Sequence, residues 1–380
     1  MELSLKVLAL YPGLNPKFDE VAYALPPLLK HGVSVRVITS RISALKSTEE
    51  GSDFDNFMGV QIFRLFRDLK QMSHAPELLH DEVMKLLEEF NPDLLLVNSF
   101  HCLPLMRMLQ KRRRIPAVLR VESADPLIIL QRRYYLGWPA LGRLVGRMKW
   151  WRIAGEVDAL MTNDPADLPD LGRFSVRQKQ AYYSAHCAQR PDGLQLAAAR
   201  DKSEMIYIGS LIRHKNCQAW LKTVPLIFDH TPVERFTIIG RGAYQHVVDD
   251  LKKRYGDRIN HIAGVSRQEA LERMSGAYFS YTESTSGWGF LCDSWSTNTP
   301  LLCPQSTFSI VPGWTGMMPR SPDQLIANIR RLYADPDYYQ GMQEGGRIRY
   351  VSEHTAEIVS QQYMQIFREV GMVNPTPLNK

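Results

Sequence analysis

Three segments in the second half of the chain combine glycines, cations and small polar residues in a way that suits a phosphorylated ligand. The first is Tyr207-Ile208-Gly209-Ser210-Leu211-Ile212-Arg213-His214-Lys215-Asn216, where an apolar run ends in glycine and two cations follow. Glycine lets a phosphate approach the main chain, and Arg213 and Lys215 can neutralise it; a loop with solvated cations is the alternative. The second is Phe236-Thr237-Ile238-Ile239-Gly240-Arg241-Gly242, a run whose glycine pair leaves no bulky side chain in a ligand's way, although a tight turn has the same composition. The third is Thr282-Glu283-Ser284-Thr285-Ser286-Gly287-Trp288-Gly289-Phe290-Leu291-Cys292-Asp293. Its small residues offer main-chain N–H groups to a diphosphate or sugar, with Asp293 on the following helix placed to accept from ribose hydroxyls. A surface loop with a helical aspartate is the plainer reading of it.

Metal chemistry has no comparable signal. Asp53-Phe54-Asp55 sits in a polar stretch and reads as a solvated turn, and no His/Cys cluster has zinc spacing. Cys102, Cys187, Cys217, Cys292 and Cys303 are odd in number and form no CxxC pair, so they read as reduced thiols of a cytoplasmic protein. The first residues, Met1-Glu2-Leu3-Ser4-Leu5-Lys6, lack the pattern of a secretory leader, and no apolar run approaches the ~18 residues that span a bilayer.

The elements that must position these segments follow from periodicity. Short apolar runs at Leu3–Leu10, Val33–Thr39, Asp93–Asn98, Ala117–Val121 and Ala159–Thr162 read as strands, as do Met205–Ile208, Phe236–Gly240, Ile259–Ala263, Tyr278–Tyr281 and Pro300–Cys303. Near-continuous apolar runs such as Leu94-Leu95-Leu96-Val97 suit parallel strands buried on both faces. Between them, Val83–Phe90, Gln218–Phe228 and Gln268–Met274 have amphipathic helical spacing. The alternation predicts two doubly wound α/β domains, and 380 residues suit two cores. The polar stretch Ala188–Ser203, with its Pro191-Asp192-Gly193 turn, separates residues 1–190 from residues 203–355, and a last helix over 356–372 is expected to pack back toward the first domain.

Charge is uneven. Residues 101–155 carry twelve Lys or Arg against Glu122 and Asp125, a local +10 in a chain of net +6. Such a segment attracts phosphate, either on an anionic membrane surface or in DNA. Arg112, Arg113, Arg114, Arg132 and Arg133 are its expected basic face, and the mix of Arg with Ile, Leu, Tyr and Trp over Leu127–Trp151 suits a membrane interface as well as base stacking.

In order and spacing, the three segments resemble the donor-binding half of retaining GT-B glycosyltransferases. The likeness runs through Gly209-Ser210-Leu211 with Lys215, Gly240-Arg241-Gly242, Ser286-Gly287-Trp288-Gly289, Asp293 and Asn298-Thr299-Pro300, and more loosely through the first half. Departures are local. Pro12-Gly13-Leu14-Asn15-Pro16 replaces the family's paired glycines, Ser286 and Asp293 stand for its two glutamates, Ser210 for its arginine, and Glu122 for a donor-contacting histidine.

The resemblance implies a GT-B fold of two Rossmann-like domains facing a central cleft, and a nucleotide-sugar donor such as a UDP-sugar, with no metal or other cofactor. Lys215, with Arg213, would stabilise the leaving diphosphate; Glu122 would orient donor or acceptor, and Glu283 would replace the missing acid. Gly209, Ser210, Gly240, Gly242, Ser286, Gly287, Trp288, Gly289, Phe290 and Asp293 would line the donor site. The acceptor is expected to be a surface glycan or a glycolipid of an anionic membrane, the enzyme being cytoplasmic or peripheral to the inner face of the membrane. A phage-type DNA glycosyltransferase acting on hydroxymethylated bases and an inactive sugar-nucleotide or nucleic-acid binding module stay open.

Overall fold

The computed structural model describes residues 5–14, 23–42, 53–121, 151–163, 181–188, 190–191, 193–284, 288–303 and 310–372, together with Met148. The chain divides into two compact units: residues 1–185 with 356–380, and residues 186–355.

The first unit holds β1 (Lys6–Leu10), β2 (Ser34–Ile42), β3 (Phe54–Phe57), β4 (Val60–Asp68), β5 (Leu94–Asn98), β6 (Ala117–Val121), β7 (Ala159–Thr162) and β8 (Ala181–Tyr183), in the order β3-β4-β2-β1-β5-β6-β7-β8. Among these strands all pairings are parallel except β3 with β4. Its helices include α1 (Pro26–Lys30), α2 (Leu69–His74), α3 (His80–Phe90) and α4 (Leu103–Arg112). The run from Leu94 to Asn98 is buried throughout, as a central parallel strand covered on both faces must be. On α3 the buried stripe is Val83, Leu86, Leu87 and Phe90. That helix stops where Asn91 turns left-handed at φ 49° and Pro92 follows.

The Asp53-Phe54-Asp55 segment is not a solvated turn. It enters edge strand β3, which forms a hairpin with β4 through Met58 (φ 50°) and Gly59 (φ 91°), the two positive dihedrals of a tight hairpin turn. Asp53 pairs with Arg41 at 2.7 Å, and Asp55 pairs at 3.3 Å with Arg64, which β4 buries. The sequence hides this strand because an edge strand keeps one half-wet face, so its apolar alternation is short. Strand β8 escaped notice for a similar reason, being three half-buried residues long.

The second unit is a five-stranded parallel sheet in the order β11-β10-β9-β12-β13, with β9 (Asp201–Ile208), β10 (Arg235–Ile239), β11 (Ile259–Ile262), β12 (Ala277–Tyr281) and β13 (Leu301–Leu302). Strand β9 begins well before its apolar run, because Asp201 and Glu204 both bond the Arg235 side chain on β10. The connecting helices are α5 (Trp220–His230), α6 (Gln245–Tyr255), α7 (Arg267–Gly276) and α8 (Trp288–Ser296), followed by α9 (Pro322–Ala334) and α10 (Pro336–Arg349). A π-helical turn, Tyr350–His354, ends the unit, and α11 (Ala356–Met372) belongs to the first.

Both sheets reverse winding direction once, between β1 and β5 in the first and between β9 and β12 in the second. The crevice outside the strand C-termini at such a reversal is where open α/β sheets bind ligands.

Candidate functional site

Two of the three segments read from the sequence leave the sheet at the reversal of the second unit. After β9, the chain passes through Gly209 and Ser210 into a 3-10 turn, Arg213–Lys215, closed by Asn216 in the left-handed region at φ 53°. Arg213 is exposed and Lys215 half-buried. Lys215 lies close enough to Cys217 for its charge to pull the thiol down, but burial dominates and pushes that thiol up to about 11.

The glycines do something the sequence reading did not assign to them. A Cβ on Gly240 would sit 1.9 Å from the Gly209 carbonyl oxygen, and one on Gly242 would sit 2.3 Å from that of Leu211. Their φ values, +150° and +157°, are ones L side chains rarely adopt. The two loops lie main chain against main chain. Gly209 N–H donates to Ile239 O (2.9 Å), Leu211 N–H to Arg241 O (3.0 Å), Gly240 N–H to Ile262 O (2.9 Å), and Tyr244 N–H to Leu211 O (2.9 Å). The amides of Gly209 and Gly240 therefore extend the sheet instead of standing ready for phosphate. Ser210 presents its carbonyl to the Tyr207 hydroxyl at 3.1 Å.

After β12, Thr282, Glu283 and Ser284 are buried. Glu283 is 2% exposed; its carboxylate accepts from the Tyr281 hydroxyl, which lies 2.8 Å from Thr223 Oγ1 on α5. Burial raises the Glu283 pKa, opposed by hydrogen bonds from Tyr281 and Thr223. In place of an open acid, it ties the end of β12 to α5. Ser286 and Gly287 lie outside the described residues. Trp288, Gly289 and Phe290 form the first turn of α8, whose N-terminal amides are a natural anion cradle. Trp288 packs against Trp295 and His354, with ring centroids 6.4 and 5.5 Å away, and Phe290 against Tyr207 at 5.5 Å.

Asp293 lies on α8 with its carboxylate in the fork of Arg267, Nη2 to Oδ1 at 2.8 Å and Nη1 to Oδ2 at 3.3 Å. Arg267 is the first residue of α7, next to the Ser266 cap whose Oγ accepts from Glu269 N–H. The sequence reading missed Arg267. The Ser266-x-x-Glu269 capping pattern marks the helix start, but nothing in it says that the adjoining cation reaches a side chain on the next helix.

In the first unit, Glu122, Arg132 and Arg133 lie outside the described residues. The other three arginines of the expected basic face each have a partner within the unit. Arg112 meets Glu88 at 3.3 Å, Arg113 bonds the Asn91 side chain and the Pro92 carbonyl, and Arg114 meets Asp158 at 2.6 Å. Arg107 likewise grips Glu156 at 2.7 Å, and buried Arg120 donates to Asn98 at 2.9 Å. A charge count over one window omits Glu88, Glu156 and Asp158, which lie just beyond its ends and beside these arginines in space.

Among the described residues all five cysteines are buried thiols outside any disulfide, no His/Cys/Asp/Glu group is gathered as a metal site, and no helix is long and apolar enough to cross a membrane.

No protein-family model matches the chain, and no curated protein matches it in sequence. Solved structures do. Sucrose-phosphate synthase from Thermosynechococcus elongatus superposes with a TM-score of 0.77 at 15% identity, covering 97% of this chain and 100% of that one. A glycosyltransferase from Rickettsia africae ESF-5 gives 0.69 at 9% identity over 98% and 100%. HepE of Anabaena, solved in complex with UDP and glucose, gives 0.67 at 14% identity over 96% and 99%. At these identities the likeness shows the fold, and that fold is GT-B, built from two Rossmann-like units.

Proposed function

We propose that the protein is a retaining glycosyltransferase that takes a nucleoside-diphosphate sugar as donor in its second unit. The observation that carries this reading is the meeting, at one sheet reversal, of the Gly209–Lys215 loop and the segment that leads from β12 into α8. Those are the elements an open α/β sheet uses to hold a ligand's phosphates. The bound UDP and glucose of HepE, on the same fold, support a donor of this class.

In the reaction so proposed, the bond from the sugar's anomeric carbon to the diphosphate breaks and the acceptor oxygen bonds to that carbon on the same face. The acceptor proton passes to the departing phosphate oxygen. Lys215 and Arg213 neutralise the charge that grows on the diphosphate, and the first amides of α8 add fixed dipoles. Asp293 accepts from the ribose hydroxyls. None of these steps calls on a metal.

The acceptor reading best supported is a glycolipid on an anionic surface. Met148 and Trp151 are 62% and 56% exposed and lie three positions apart in the sequence, with exposed Arg152 adjoining Trp151. That is an amphipathic interface in miniature.

The test is incubation of the purified protein with UDP-, GDP- and ADP-sugars, with and without glycolipid-bearing anionic vesicles, followed by mass spectrometry. Release of the nucleoside diphosphate matched by a gain of one sugar on the lipid is expected. Binding of a nucleotide sugar without any release would instead make the chain a binding module.

A further inference from the structure

Helix α8 offers its first amides to the donor's diphosphate, and its other end is closed by two cations from about 100 positions earlier in the chain. A helix leaves its last four carbonyls without intrahelical donors. Main-chain amides just beyond α8 meet the first of them. Asp293 O accepts from Thr297 N–H (3.1 Å), Ser294 O from Thr299 N–H (2.8 Å) and Trp295 O from Asn298 N–H (3.1 Å), with Asn298 in the left-handed region at φ 55°. The three carbonyls that follow, those of Ser296, Thr297 and Asn298, accept from guanidinium groups. Arg190 holds Ser296 O through Nε (3.0 Å) and Nη2, and Arg200 Nη2 holds Thr297 O (2.9 Å) and Asn298 O (3.0 Å).

Both arginines belong to the polar stretch between residues 188 and 203. Arg200 also donates through Nη1 to Ala277 O (3.1 Å), at the start of β12, and to Thr299 Oγ1 (3.0 Å). It thereby fastens the end of α8 to the beginning of the strand whose far end leads into that helix. The residues of α8 are buried apart from half-buried Gly289. Apolar burial is non-directional, whereas charge-assisted hydrogen bonds have fixed lengths and angles, so the arginines set where the helix stands along its axis. The axial position matters because a helix end attracts an anion only within its first turn, and a cation at the C-terminus complements the same dipole.

We infer that Arg190 and Arg200 are positioning residues that grip the end of α8, hold its first turn at the diphosphate, and so set the preference of the site for a nucleoside diphosphate over a monophosphate. This rests on the donor site proposed above. Neither arginine touches the nucleotide in this scheme; both act through α8.

The experiment titrates UDP, GDP and ADP into the full chain by calorimetry. It then compares the tightest with its monophosphate in wild type, Arg190→Gln, Arg200→Gln, Arg190→Lys and Arg200→Lys. The expected wild-type preference for the diphosphate is about tenfold or more, the worth of a hydrogen bond to one more charged group. Each Gln variant should cut it to about twofold by weakening the diphosphate, leaving the monophosphate within about twofold of wild type. These variants should fold, because Ser280 Oγ still donates to Ser294 Oγ (2.8 Å) and Trp295 Nε1 to the Thr315 carbonyl (2.6 Å). The Lys variants, which keep the charge without the fork, should fall between at about fourfold, and they carry the test if a Gln variant does not fold.

Equal weakening of both nucleotides in the variants would mean a structural role only and overturn the inference. So would an undiminished preference in the folded variants. Equal wild-type affinity for the diphosphate and the monophosphate would overturn it while leaving a nucleotide site standing. Failure of UDP, GDP and ADP alike to bind wild type would remove the donor site and the inference together.

Discussion

The His354 imidazole is fully buried at the end of the π-helical turn, between the rings of Trp288 and Trp295 at 5.5 and 5.3 Å. Its Nδ1 lies 2.9 Å from the His186 carbonyl, so Nδ1 carries the proton and donates. Its own carbonyl accepts from Ala188 N–H at 3.0 Å, and Nε2 has no partner among the described residues. Burial is the main cause that pushes its pKa down from 6.5 to about 3, with the nearby Arg349 charge acting the same way.

The sign follows from proton linkage. Below pH 6.5 the unfolded chain protonates this histidine while the folded chain does not, so stability is complete above pH 6.5 and drains away as pH falls toward 3. At 1.36 kcal/mol per pH unit, a fall from pH 8 to pH 5 removes about 2 kcal/mol through this one residue.

His354→Asn keeps an N–H donor for the His186 carbonyl but cannot titrate. It should cost about 1–3 kcal/mol at pH 8 for the lost ring packing, and about 2 kcal/mol less than that at pH 5, where wild type has lost its own share. Urea unfolding of both proteins at pH 8 and pH 5, followed by tryptophan fluorescence, measures the difference. Wild type should lose about 2 kcal/mol more than the variant across that interval. The same pH loss in both proteins would refute the buried neutral imidazole. Because α8 stands on this histidine through two tryptophans, the wild-type KM for the donor should also rise with acidity more steeply than that of the variant.

Lys215→Ala should lower kcat by about 10²–10³ with the fold intact, since one preorganised charge on the leaving group is gone; turnover like that of wild type would move the diphosphate elsewhere. Gly240→Ala should destabilise the second unit by at least about 2 kcal/mol, because a Cβ 1.9 Å from a carbonyl oxygen forces two loops apart, and an unchanged unfolding midpoint would contradict that packing. Arg114→Ala should cost about 1 kcal/mol or less by loss of the half-exposed bond to Asp158 and leave vesicle flotation and DNA gel shifts unaltered, whereas Trp151→Ala should weaken flotation on anionic vesicles. Transfer should persist in EDTA; loss of turnover that a divalent ion restores would add a metal to the mechanism.

The sequence by itself determined the strand–helix alternation, because a strand covered on both faces must be apolar almost throughout. Leu94–Asn98, Ala117–Val121 and Ala159–Thr162 are visible as such without any partner in view. It also marked the loops after β9, β10 and β12, since glycine and small polar residues at the end of a buried run have few other uses. Tertiary structure decided what each of those residues touches. Gly240 and Gly242 read as room for a ligand, but main chain from the neighbouring loop fills that room. Glu283 read as a spare acid, but the turn at the end of β12 buries it against Tyr281. Arg113 and Arg114 read as free charge, but Asn91 and Asp158, 22 and 44 positions away, meet them in space. Arg267 was invisible for the same reason, its partner Asp293 lying 26 positions further on and on another helix. Periodicity is a local property that one chain segment expresses alone. Pairing of polar groups depends on which distant segments the fold brings together, and burial makes such pairing obligatory without fixing the partner.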